Sequence, residues 1–225
     1  VGDFVNHGKS LAPTGTSIVF ILSTMDEVEM IDIYCPRQND EIEEITLPSK
    51  VKIIYTYEYN NPLSILKLMK IRQSYYDRII FNMLSTSFGN TSIANAIGII
   101  LPILLVKIFR MKNIEVIYHN SVLTNDISKL GYNSIFDRFR AGVLRHIEIF
   151  LFKNVETFVL LQLYKEKIDV ILNKNMVKYL NAKYLEAFAT LFINEVQNNG
   201  EIKIERADDL KKVLLHGNWG PQKNI

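Results

Sequence analysis

The sequence predicts an α/β protein built on a doubly wound, parallel sheet, and three observations predict it. Short runs rich in β-branched and aromatic residues recur along the 225 residues. Most of these runs are nearly continuously apolar, as strands covered on both faces are. Helical patterns separate them, and strand followed by helix, repeated, implies right-handed crossovers between parallel neighbours.

The chain opens on "DFVNHGKS" (3–10), a loop that falls one residue short of a phosphate-cradling P-loop because Asp3 stands where the first glycine belongs and Gly2 comes one position early. Pro13 and Gly15 break any helix that would start directly after Ser10, so a helix is expected over 17–28 with Thr16 as its cap. Strands are expected at "EMIDIYC" (29–35) and "VKIIYTY" (51–57), then a helix at "PLSILKLMKIRQSY" (62–75) and a strand at "DRIIFNML" (77–84). A helix over 92–110, a strand at "IEVIYHN" (114–120), a long helix over 134–154, a strand at "VETFVLL" (155–161) and a helix over 163–174 continue the alternation. After the helix-like "LEAFATLFINEVQ" comes a polar, charged stretch containing Gly200 that reads as a linker, and "KKVLLHG" (211–217) starts a new strand. The expected division is a domain over 1–198, a linker over 199–210, and over 211–225 the first strand and loop of a second domain.

Composition narrows the function classes. A chain with 48% hydrophobic and 22% charged residues buries a large core and is not disordered. Lys plus Arg is 26 against 24 for Asp plus Glu, so the net charge of +2 gives no general attraction to nucleic acid, and none is expected as a partner. Cys35 is the only cysteine and the four histidines lack metal-binding spacing, which excludes a disulfide framework and a zinc ribbon and favours a reducing, cytoplasmic setting. No metal is expected in the site. The longest apolar stretch, 92–109, carries Asn95, Pro102 and Lys107, which favours a buried or membrane-skimming helix over a spanning one.

Three places can carry chemistry. The loop with Gly2, Gly8 and Gly15 leads into a helix N-terminus and offers backbone N–H groups and a positive dipole end to an anion. His119 closes a central strand, and ligands of open α/β sheets sit outside the carboxyl ends of the strands; Asp126, in the next loop, can reach the same crevice. The 134–154 helix places Phe136, Phe139, Val143, Leu144, Ile147, Phe150 and Leu151 on one stripe, with Arg138, Arg140, Arg145 and Lys153 off it. With Lys107, Arg110 and Lys112 these cations form a basic surface suited to anionic headgroups, so peripheral membrane contact through 92–110 and 134–154 is expected.

The glycine loop, "IEVIYHNS" with its long following helix, "VETFVLLQLYKEKI" and the terminal "VLLHGNWGPQKN" together resemble, in their order, the Rossmann-like N-terminal half of a GT-B fold glycosyltransferase of the retaining, GT4-like kind. The resemblance implies transfer of a sugar from a nucleotide-sugar to a hydroxyl of a glycan or lipid-linked acceptor, with no cofactor beyond the donor itself. It implies that His119 lies near the transferred sugar, that Gly2 and Gly8 approach the donor phosphates, and that Lys223 grips the donor diphosphate. Asn218 stands where that family carries arginine, and the serine usual after the strand at 155–161 is replaced by "VLLQLY". It further implies that this chain is mainly the acceptor half of a cleft and inactive alone. Two alternatives stay open: a non-catalytic module of the same fold that docks a partner or membrane, and a P-loop NTPase. The latter requires a Mg²⁺-holding Asp at a strand end where the sequence has Asn82.

Overall fold

The computed structural model describes residues 13–37, 48–73, 76–124 and 134–180. Six strands and five α-helices, with one 3₁₀ segment, appear within those residues. They divide between two compact units, one uniting Tyr34–Arg37 with the described residues of Tyr55–Tyr179, the other holding the described residues of 13–33 and 48–54 with Leu180. The expected linker and second domain, 199–225, lie outside the described residues, as does the P-loop-like stretch 3–10.

The smaller unit contains helix α1 (Pro13–Ser23), with Ile18 and Val19 buried. It begins four residues before the expected start. The first four N–H groups of a helix have no helical acceptor, so Pro13 at the first position loses no bond, and Thr16 stands inside the helix rather than capping it. It also stops five residues early, where Thr24 donates both its N–H and its hydroxyl to the Ile21 carbonyl, the latter at 2.8 Å. Strands β1 (Ile31–Arg37) and β2 (Val51–Glu58) pair in a two-stranded sheet.

The larger unit is built on four strands: β3 (Ile79–Met83), β4 (Ile114–Tyr118), β5 (Glu156–Val159) and β6 (Lys178–Tyr179), hydrogen-bonded in that order. All three pairings are parallel, as expected, with Phe81 beside Val116 and Tyr118 beside Val159. Side chains alternate between faces. One face, with Ile79, Phe81, Met83, Ile114, Val116, Tyr118, Thr157 and Val159, is fully buried. The other holds Asn82 and Ile117, both buried, but also Glu115, Glu156, Phe158 and Lys178. There Arg78 clasps Glu115 through two bonds of 3.0 and 2.6 Å, and Lys178 pairs with Glu156, which holds its amine above the usual range.

Helices α3 (Ser92–Lys107), α4 (Ile135–Asn154) and α5 (Gln162–Leu172) connect these strands. When parallel strands follow one another in a single direction, right-handed crossovers put successive helices on the same face. The packing of α3 on α4, and of α4 on the Tyr118 face, agrees. Double winding needs a reversal of strand order, and the described strands β3 to β6 contain none. What stands is an α/β unit with a parallel sheet.

Two helices differ instructively from expectation. The 62–75 segment is a short α2 (Pro62–Ile65) continued by a 3₁₀ run over Leu66–Gln73. Ile65, Leu68 and Ile71 are all buried and recur every three residues, the spacing that a 3₁₀ helix stacks on one face. In α4 the buried face is Ala141, Leu144, Glu148, Leu151 and Phe152, whereas Phe136 and Phe139 stay 77% and 71% exposed, so most of the expected phenylalanine stripe faces outward.

α3 begins where the Thr91 side chain accepts the Ala94 N–H, and it contains Pro102 four residues after Gly98. Proline removes one ladder hydrogen bond and crowds the carbonyl four residues back. Gly98 has a second reason to be glycine: a Cβ there would stand 2.0 Å from the Phe88 ring, which is fully buried against Tyr57 with ring centroids 5.8 Å apart. Gly98→Ala is therefore expected to destabilise the protein by about 2–3 kcal/mol through overpacking, despite a helix-propensity gain of about 1 kcal/mol. Urea denaturation checks it, and an unchanged or raised midpoint would show that Phe88 yields.

Candidate functional site

The carboxyl ends of β3 and β4 bring His119 and Asn82 together. Asn82 and Ile117 are register partners, and beyond β4 the His119 N–H donates to the Met83 carbonyl at 3.1 Å, extending the ladder by one step. Alternation then puts His119 on the same face as Asn82. Its Nε2 lies 2.5 Å from Asn82 Oδ1. With that oxygen as acceptor, Nε2 carries the hydrogen and the ring is held in one tautomer. His119 is half-buried and Asn82 buried, so the imidazole stands at the strand ends, where open α/β sheets receive ligands.

On the opposite face a buried carboxylate organises the chain that leaves β4. Glu148, on α4, is 0% exposed. Its Oε1 accepts the Tyr118 hydroxyl at 2.8 Å and the Val122 N–H at 2.9 Å; its Oε2 accepts the Ser121 hydroxyl at 2.5 Å and the Leu123 N–H at 3.1 Å. Burial pushes the Glu148 carboxyl up, and the four donors draw it back part of the way. Burial, with the Glu148 charge beside it, pushes the Tyr118 phenol well above its usual range, so that hydroxyl keeps its proton and donates.

The loop after β3 leaves the same end of the sheet. Ser87 Oγ accepts the Leu84 N–H at 2.6 Å, Asn95 Oδ1 accepts the Phe88 N–H at 3.1 Å, and Asn95 Nδ2 donates to the Gly89 carbonyl at 2.7 Å. Asn60, held in the left-handed region at φ 65°, accepts the Asn90 N–H and closes on Gly89, where a Cβ would meet its Oδ1 at 2.4 Å. The turns at 84–91 and 119–124 are thus both fixed by side-chain to backbone bonds. Ser87, Asn95 and Ser121 are buried in these bonds, and His119 is half-buried at this end of the sheet. Among the described residues no cluster of three His, Cys, Asp or Glu can hold a metal ion.

No family model matches this chain, and no curated protein or solved structure does.

Of the residues expected to form the site, the structure places His119. Gly2, Gly8, Asp126, Asn218 and Lys223 lie outside the described residues. Asn82, Tyr118, Ser121 and Glu148 went unrecognised as site residues. Glu148 had a signal: it shares helical spacing with Ala141, Leu144 and Leu151, and an acidic side chain in a buried register needs partners. Asn82 had one as well, a polar residue inside an apolar strand run.

A separate feature lies on the helices. Ile100 of α3 with Phe139, Gly142, Val143, His146, Ile147 and Phe150 of α4 line an open apolar groove of about 520 Å³. Ile135, Phe136 and the exposed Arg138 and Arg140 flank it along α4. No described helix is long and apolar enough to cross a membrane.

Proposed function

We propose that this chain carries the acceptor-side domain of a retaining, GT4-like glycosyltransferase of GT-B architecture, which transfers a sugar from a nucleotide-sugar to a hydroxyl of a glycan or lipid-linked acceptor at the cytoplasmic membrane face. The observation that carries the reading is His119 at the carboxyl end of β4, tied to Asn82 at the end of the adjacent parallel strand. An imidazole there can hydrogen-bond a sugar hydroxyl while donors from elsewhere meet the departing diphosphate, which is the main electrostatic demand of the reaction. In this reading Gly2 and Gly8 approach the donor phosphates, Asp126 reaches the crevice, and Asn218 and Lys223 belong to a donor-binding domain that follows a linker at 199–210. The sheet would be completed to double winding by strands beyond the four described.

The test is incubation of the full-length protein with nucleotide-sugars and membrane-extracted acceptors, with the anomeric configuration of the product read by NMR. Transfer with retention supports the proposal; absence of binding to any nucleotide-sugar by calorimetry defeats it.

A second reading, a module that docks a membrane without catalysis, is favoured by one observation, the exposed apolar groove of α4 beside Arg138 and Arg140. Aromatic side chains next to cations suit an anionic bilayer surface. Phe136→Ser with Phe139→Ser is expected to abolish co-sedimentation with phosphatidylglycerol vesicles. Equal sedimentation of wild type and variant would remove α4 from any such contact, and strong vesicle binding without nucleotide-sugar affinity would favour this reading over the first.

A further inference from the structure

We propose that Glu148 is a positioning residue for His119: its carboxylate gathers the backbone that leaves β4 and so determines where the imidazole stands. The inference rests on the reading above only in taking His119 as a site residue.

All four groups that donate to Glu148 come from one short stretch, Tyr118 and Ser121 to Leu123, which encloses His119. They reach a helix 25 to 30 residues away in sequence, so the contact is tertiary and no local turn supplies it. The strand itself does not need this network, because β4 is already bonded along both edges by β3 and β5. What the strand ladders leave open is the course of the chain after Tyr118. There two consecutive N–H groups, of Val122 and Leu123, find their acceptor in the carboxylate, and Ser121 Oγ takes a second bond from Leu123 N–H at 3.1 Å.

A buried carboxylate is poor evidence of stability, since its desolvation offsets what its partners contribute and apolar side chains of equal volume often do as well. Its retention is better explained by what it specifies. His119 is then restrained twice, at its ring by Asn82 on one face of the sheet and through its following backbone by Glu148 on the other. Two restraints from opposite faces leave the imidazole little freedom, as a group that must meet a ligand within a fraction of an ångström requires.

Glu148→Gln tests this at nearly constant volume. The amide keeps one acceptor oxygen but sets an NH₂ against two of the four donors. In the variant, amide hydrogen exchange at Val122 and Leu123 is expected to quicken at least 10-fold relative to Val116 in the core of β4. The His119 imidazole ¹⁵N shifts are expected to lose their single-tautomer signature. In the full-length protein kcat for transfer should fall at least 10-fold with donor KM little changed. A folded variant whose 122–123 exchange follows that of Val116, or whose His119 signals match wild type, overturns the inference. If the variant does not fold, Ser121→Ala, which leaves the carboxylate in place and removes one donor, is read by the same two signals with the same consequences. Absence of transfer by the wild type would instead sink the glycosyltransferase reading and leave the spectroscopic result standing.

Discussion

Glu148→Ala is expected to lower the unfolding free energy by about 3–5 kcal/mol, a large share of the 5–15 kcal/mol that holds a typical domain folded. A buried donor left without an acceptor costs about 1–3 kcal/mol. The Tyr118 and Ser121 hydroxyls and the Val122 N–H are buried and lose their acceptor, the Leu123 N–H keeps Ser121 Oγ, and a cavity opens beside the sheet. Relief of the carboxylate's desolvation works the other way and keeps the total from being larger. Urea denaturation measures it; a change below about 1 kcal/mol would mean that the loop closes on itself without the carboxylate.

The same substitution has a pH signature. Burial raises the Glu148 carboxyl above its ordinary 4.5, so the folded protein holds that proton more tightly than the unfolded chain does. The stability this contributes is complete below pH 4.5 and is lost as pH rises through the folded value. Alanine has no such dependence, and the gap between wild type and variant should therefore narrow from acid toward neutral pH. A gap that widens over that range would show that the four donors outweigh burial.

His119→Ala, in the full-length protein, is expected to reduce sugar transfer by about 100-fold while costing the fold only about 1 kcal/mol. The ring is half-buried, and its loss removes a bond to Asn82 without opening the core. A group that stabilises charge or orients a hydroxyl in the transition state is worth about 2.7 kcal/mol, the equivalent of that factor. Thermal unfolding and initial-rate assays on the same preparation separate the two effects. Wild-type turnover in the variant would take His119 out of the site.

The strands were readable in the sequence because a buried parallel strand is a continuous apolar run, as "RIIFNM" and "IEVIY" are, and that signal is local. β6 was not, since two residues, Lys178 and Tyr179, make no pattern. The helix α4 was readable as a helix but not in its rotation. Phenylalanine has the stronger apolar signal, yet neighbours occupy the side that carries Glu148, and the phenylalanines at 136 and 139 turn outward. His119 was legible from its place after a strand. Asn82 and Glu148 were not, because what makes them significant is contact with residues 37 and 25 to 30 positions away.

By itself the sequence determined the alternation of strand and helix, the parallel pairing it implies, and the histidine at the end of β4, all of which rest on periodicity within a dozen residues. Only the tertiary structure decided the order β3 to β6, which face of α4 is buried, and which amide and carboxylate close on the His119 turn. Periodicity encodes which side of an element is apolar, but the partner that side meets is selected by the packing of the whole chain, where desolvated polar groups must find one another or leave the core.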